Sequence, residues 1–266
     1  MPNIFTETLL MLDESLFPLD FNGNKIPIWP CPQCGAQSLH CENNNFHKHH
    51  KEPIDTNDPD FDPSWITYIF TMHLKCTNAS CGCGVVCTGT GEVQEEDFDN
   101  GIDGYDRTWK EIFHAKYFEP PLQIFTPPTG TPKTVKQALE TSFSTFFFSP
   151  SLSLSALRAS LEALLDEKNI AKRSNNDHYL NLENRVKLLD ITLGNNSTTI
   201  TEYATAIRFL GNNGTHPGEI KIQQSDVFDG YKIFEHILIT LYPEEKPSFD
   251  FLVESINTAR GVVRKK

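Results

Sequence analysis

The sequence predicts an α+β protein with its strands in the first half and its helices in the second. Three observations carry that expectation. Alternating stretches rich in β-branched and aromatic residues, at 66–75 and 85–93, lie beside two tight cysteine clusters. Helix start signals followed by apolar stripes recur after residue 131. Between them, 118–128 is too rich in proline for a helix or a central strand. The boundaries that follow are 1–118 for a small β module with an acidic loop insertion, 119–130 for a linker and 131–266 for a helical domain.

Residues 1–28 read as an irregular lead-in with one helical turn near 9–12. Cys31 and Cys34 then form a Cys-x-x-Cys-Gly turn, and Cys76, Cys81 and Cys83 form a second cluster. Six of the seven cysteines lie in or beside these clusters, which points to a metal rather than to disulfides. Tetrahedral zinc needs two ligand pairs whose backbone amides fold around the thiolates. Cys31, Cys34, Cys76 and Cys81 best complete the set, with Cys83 competing for the last place and Cys41 and Cys87 left outside it. This is the pattern of a zinc ribbon, and a closed four-thiolate site serves structure because it leaves no open coordination position. A redox Cys-x-x-Cys would want a following helix, which 35–40 does not offer.

Between the clusters, His47, His49 and His50, with His40 nearby, invite a second metal reading. Their lysines and the acidic, proline-rich continuation to residue 63 favour a solvated loop. Strands are expected at 66–75, 85–93 and 109–117, with acidic turn residues from 97 to 106. In the second half, Thr131 and Pro132 offer an N-cap and a first-turn proline ahead of Val135, Leu139, Phe143 and Phe146. Ser149 and Pro150 repeat the signal ahead of Leu154, Leu157, Leu161 and Leu164. Further helices are expected at 179–190, 199–210, 226–242 and 249–263, six in all.

The composition, 38 % hydrophobic and 22 % charged, is ordinary for a globular chain and excludes wholesale disorder. No apolar run reaches the length of a membrane span, and residues 1–17 carry Glu7, Asp13 and Glu14 in place of a basic leader. A cytoplasmic protein without membrane contact is therefore expected. The net charge of −12 is uneven: residues 1–150 hold 9 Lys/Arg against 20 Asp/Glu, whereas residues 151–266 hold 14 against 15. Any RNA contact belongs on the helical half, and the acidic half suits a protein partner.

The fourth helical pattern ends in Arg208, Gly211, Asn212 and His216, groups able to handle a phosphate. A plain helix end followed by an Asn-Gly turn is the simpler reading of the same residues. On the second helix, Arg158 and Glu162 stand four apart, as a surface ion pair or as a device in which Glu162 orients Arg208 or His216. Together these positions resemble the HEPN superfamily of all-helical domains, and more closely a prokaryotic branch with an Arg-x-x-Gly-Asn-x-x-x-His box and an earlier Arg-x-x-x-Glu pair. The resemblance covers scattered positions from about residue 131 onward.

The resemblance implies a metal-independent endoribonuclease with a site built from Arg208, Asn212, His216, Glu162 and Arg158. It also implies 2′,3′-cyclic phosphate products, a homodimer with facing boxes, and a bacterial defence or toxin-like setting. Seven residues, 209 through 215, separate Arg208 from His216, a longer interval than in the superfamily's ribonucleases. That interval keeps open an alternative: a non-catalytic module that dimerises or holds RNA, nucleotide or protein, with the ribbon as its interaction surface.

Overall fold

The chain is α+β, with a curled antiparallel sheet followed, among the described residues, by six helices. The computed structural model describes residues 12–99, 104–193, 197–215, 221–244 and 250–262. The strands are β1 (Asp20–Phe21), β2 (Trp29–Pro30), β3 (Gln37–His50), β4 (Thr67–Cys76), β5 (Gly84–Asp99) and β6 (Tyr105–Glu119), in spatial order β1-β6-β5-β4-β3-β2. The helices are α1 (Lys133–Thr145), α2 (Pro150–Glu167), α3 (Leu182–Leu193), α4 (Ser197–Thr215), α5 (Gln224–Leu241) and α6 (Asp250–Ala259).

Strict alternation in β4 buries Tyr68, Phe70, Met72, Leu74 and Cys76 on one face and leaves Ile69, Thr71, His73 and Lys75 outside. The sheet curls around that face. Phe21 on one edge strand meets Trp29 on the other, with ring centroids 5.8 Å apart, and also touches Phe70 and Phe113 at 5.5 and 5.7 Å. Gly91 makes room for this aromatic core, since a Cβ there would lie 2.5 Å from the Phe113 ring.

His47, His49 and His50, read from the sequence as a solvated loop, belong instead to β3. Their backbones pair with Thr71, Ile69 and Tyr68 of β4, while their side chains are exposed. β2 reaches only Leu39 and Gln37, so this end of β3 is an open edge where polar residues cost little. The acidic stretch at 97–106 likewise is not all turn: 97–99 continue β5 and 105–106 begin β6.

The linker forms neither helix nor strand beyond Glu119, but it is not a free tether: Leu122, Ile124 and Phe125 are buried. Phe125 packs on Phe143 at 5.3 Å. Phe118 meets Phe147 at 4.7 Å and Phe17 meets Phe228 at 6.3 Å, so sheet and helices share one hydrophobic core. The Thr131 N-cap reading is corrected, because Pro132 holds the cap position and the buried Thr131 hydroxyl has no partner among the described residues. Ser149 does cap α2, accepting from the Leu152 amide, with Pro150 in the first turn.

The stripes Val135, Leu139, Phe143 and Phe146, and Leu154, Leu157, Leu161 and Leu164, are all buried. Ser142, Ser153 and Tyr231 form a polar knot inside the bundle, with the Tyr231 hydroxyl 2.9 and 2.7 Å from the two serine oxygens. By contrast, α6 leaves Phe251, Leu252, Val253 and Ile256 exposed. Apart from Leu12, the expected turn at 9–12 lies outside the described residues, as do His216, Phe249 and Val263. No helix among the described residues is long and apolar enough to cross a membrane.

Candidate functional site

The curl of the sheet brings the two cysteine clusters together. Cys31 and Cys34 occupy the turn between β2 and β3, Cys76 ends β4, and Cys81 stands in the turn before β5. All four sulfur atoms lie within 4.8 Å of one another and could hold a metal ion. Cys31 and Cys81 are 3.7 Å apart, as are Cys34 and Cys76. Four thiolates bound tetrahedrally at about 2.3 Å would be about 3.8 Å apart. Two of the sulfur pairs thus stand at the separation such an ion would impose.

Each knuckle is shaped by its backbone. Gly35 and Gly82 take φ of +71° and +63°, values that side chains resist, and let the turns close behind the sulfurs. Backbone amides of Gln33 and Cys34 face the Cys31 sulfur, that of Asn78 faces Cys76, and that of Cys83 faces Cys81. The Ser38 hydroxyl, 3.0 Å from the Cys76 sulfur, does most to bring that thiol down to about 7. Burial pushes Cys31 up to about 12, so a cation is what would hold it as thiolate. Cys83 turns toward the Gly84 carbonyl at 3.6 Å and is not in the four-sulfur group. Burial raises the thiols of Cys41 and Cys87, which are also outside it.

The second constellation lies where α2 crosses α4. The helix runs unbroken through Gly211 and Asn212 to Thr215, so Arg208 and Asn212 share a face. Arg158 donates to Asn212 through Nη1 and to Glu162 through Nε at 3.3 Å. Glu162 is thus engaged with Arg158; the reading in which it orients Arg208 is not what the side chains do. Arg208 instead faces Glu183 of α3, at 3.8 Å, and stacks on Phe209 with its guanidinium carbon 4.2 Å from the ring centroid. Lys187 first, and Arg208 after it, hold the Glu183 carboxyl below the usual carboxylate range. The Arg208 Nε is buried and has no partner among the described residues.

The glycine of the box has a packing reason. A Cβ at Gly211 would fall 2.4 Å from the Arg158 Cβ, and one at Gly214 would fall 2.5 Å from the Ser151 carbonyl oxygen. Close approach of the two helices thus sets Arg158 against Asn212. Gly211→Ala gains about 1 kcal/mol of helix propensity but must push α2 away, an overpacking cost of about 1 to 3 kcal/mol. The expected result is a net loss of stability on the order of 1 kcal/mol in urea unfolding, and a larger one for Gly214→Ala, whose neighbour is backbone. Equal or greater stability of both variants would show that the helices are not in contact here.

Sequence reading brought Arg158, Glu162, Arg208 and Asn212 into one account, and missed Ser38 and Glu183. The turn at 78–80, where Asn78 accepts from the Ser80 amide, was a visible local signal beside the four-cysteine cluster. Glu183 carried none, because its link to Arg208 is purely tertiary. Residues 19–118 match a domain of unknown function (DUF8608), and residues 140–259 match a second domain of unknown function (DUF4145). The first match spans the sheet and the second runs from within α1 to the end of α6. No curated protein and no solved structure matches the chain.

Proposed function

We propose that this chain is a HEPN-type endoribonuclease whose sheet half is a zinc-ribbon module braced by Cys31, Cys34, Cys76 and Cys81. Four cysteine sulfurs within 4.8 Å of one another are a donor set that suits zinc, and with four protein ligands the ion would hold structure and not do chemistry. The observation that carries the ribonuclease reading is Arg208: a largely buried guanidinium with an unpartnered Nε, one helical turn before Asn212. A buried N–H without an acceptor costs about 1 to 3 kcal/mol, a cost a phosphate would remove once the guanidinium turned toward solvent.

In the proposed reaction His216 accepts the proton of a ribose 2′-hydroxyl, whose oxygen attacks the adjacent phosphorus. Arg208 stabilises the charge that grows on the phosphate oxygens, and the leaving 5′-oxygen departs, giving a 2′,3′-cyclic phosphate. Asn212, its carbonyl oxygen held by Arg158, has its amide N–H groups left for the phosphate. Glu162 keeps Arg158 in register and is a positioning residue. The resemblance implies a setting in bacterial defence or toxin-like systems. Detection of cyclic phosphate ends on RNA incubated with the purified protein tests the reading directly.

A homodimer belongs to the same proposal. The apolar residues Phe251, Leu252, Val253 and Ile256 on α6 are exposed in the single chain, and a second copy would cover them. Light scattering at micromolar concentration is expected to give twice the 30.1 kDa chain mass. A clean monomer at that concentration removes the facing-box arrangement.

One observation favours the second reading, a non-catalytic binding module. Arg158 and Asn212 satisfy each other across the α2–α4 crossing, which is what a purely structural polar clasp would do. In that case the acidic sheet half would dock a protein partner, and the helical half would dimerise or hold RNA or nucleotide without cutting it.

A further inference from the structure

Arg173 and His178, which the site account leaves unused, belong to a small exposed hairpin between α2 and α3. Arg173 and Tyr179 form a cross-strand bridge, closed by Ser174 N–H donating to the His178 carbonyl and Leu180 N–H donating to the Lys172 carbonyl, both at 2.9 Å. Asp177 turns the tip with φ of +61°. Arg173 is fixed twice by that residue, donating to its carbonyl at 2.9 Å and pairing with its carboxylate at 3.0 Å. So held, the guanidinium lies over the Tyr179 ring at 3.8 Å from the centroid.

Tyr179 is nevertheless 75 % exposed. One ring face is covered by the arginine and the other is open to solvent. A rigid hairpin that buries neither ring nor guanidinium contributes little to the bundle core, yet it presents a flat aromatic surface in a fixed orientation. The same arrangement recurs at the box, where Arg208 stacks on Phe209 and that ring is 56 % exposed. The two are joined through Glu183, which faces Arg208 and follows Tyr179 by only four residues, at most about 14 Å of chain. The cations beside the hairpin are already engaged: Lys172 pairs with Asp166 at 2.8 Å, Arg173 with Asp177 at 3.0 Å, and the Lys168 ammonium lies over the Tyr242 ring.

We propose that Tyr179 and Phe209, each backed by an arginine, form a base-stacking track for single-stranded RNA that leads to the Arg208 box. Unpaired bases have free π faces and can stack on such rings whatever their identity, whereas a duplex keeps its faces covered. Asn175 and Asn176 at the hairpin tip offer amides to base edges. The track rests on the ribonuclease reading for its destination, but its binding function can be measured apart from cleavage.

The test uses the full chain and a fluorescent oligouridine of about ten nucleotides, within the usual range of single-strand sites. It is 2′-O-methylated so that the cyclising attack cannot occur. The wild type is expected to bind it more tightly than a duplex of equal length. Tyr179→Ala and Phe209→Ala are each expected to weaken binding by about tenfold or more, as loss of one base–aromatic stack does, while Tyr179→Phe retains it. Both rings are largely exposed, so thermal unfolding of the variants should match the wild type and exclude misfolding as the cause. No binding by the wild type, or undiminished binding by both alanine variants, overturns the track. If the alanine variants lose binding while unmodified RNA is never cut by the wild type, the track stands and the ribonuclease reading falls. If the wild type cuts RNA and both alanine variants bind and cut as well as it does, the reading stands and the track falls.

Discussion

Stripping the metal proposed for the four-cysteine site, or replacing Cys31 with serine, is expected to unfold the sheet half of the protein. The four sulfurs tie the β2–β3 turn to the end of β4 and the start of β5, so their loss frees several strand ends at once. Structural zinc contributes on the order of 10 kcal/mol in small modules, comparable to the whole stability of a typical domain. All three tryptophans, Trp29, Trp65 and Trp109, lie before the linker and report on this half alone. Their fluorescence should shift on chelation, while the helical circular dichroism of the second half falls less. Elemental analysis of untreated protein should give about one zinc per chain. Protein that is folded and metal-free without exposure to chelator would sink the proposal. Cys83→Ser should be mild beside Cys81→Ser, and the opposite ranking would move the fourth ligand to Cys83.

The second large effect concerns catalysis. His216→Ala is expected to lower RNA cleavage by about 10²- to 10⁴-fold, the range a positioned general base supplies. Arg208→Ala should cost a similar factor, because growing phosphate charge loses its partner. Neither change should alter zinc content or dimer mass. Arg208 is largely buried against Glu183, so Arg208→Lys is a useful companion that keeps the charge but loses the planar fork. Cleavage that persists in His216→Ala at wild-type rate removes that residue as base. If the wild type cuts no RNA in vitro and is harmless in cells, the binding-module reading takes over, and the same substitutions should then weaken binding to RNA, nucleotide or protein partner.

The parts of this structure that were legible in the sequence are those decided by neighbours in the chain. Leu154, Leu157, Leu161 and Leu164 announce a buried helical face because their spacing is the helical repeat itself. Cys31 and Cys34 announce a turn that could hold a metal because both sulfurs and the turn glycine sit within five residues. Failures came where tertiary context decides. His47 to His50 look like loop residues, and only an open sheet edge makes their polarity compatible with β3. Thr131 and Ser149 carry the same Ser/Thr-Pro signal, but Thr131 is buried and does not cap. The Arg208–Glu183 contact joins residues 25 positions apart on separate helices and leaves no trace in either segment.

The short first strand has a consequence for synthesis. Asp20 pairs with His114, 94 positions later, and Phe21 beside it closes the aromatic interior of the sheet. Hairpins such as β4–β5 can form as soon as they leave the ribosome, but this closure must wait for the whole of β6. At translation rates of about 5 to 20 residues per second, the wait is about 5 to 20 s. From the time each is made until β6 arrives, Trp29, Phe46 and Phe70 lack their final cover. The nascent chain therefore carries uncovered aromatic side chains before its helical half has been made.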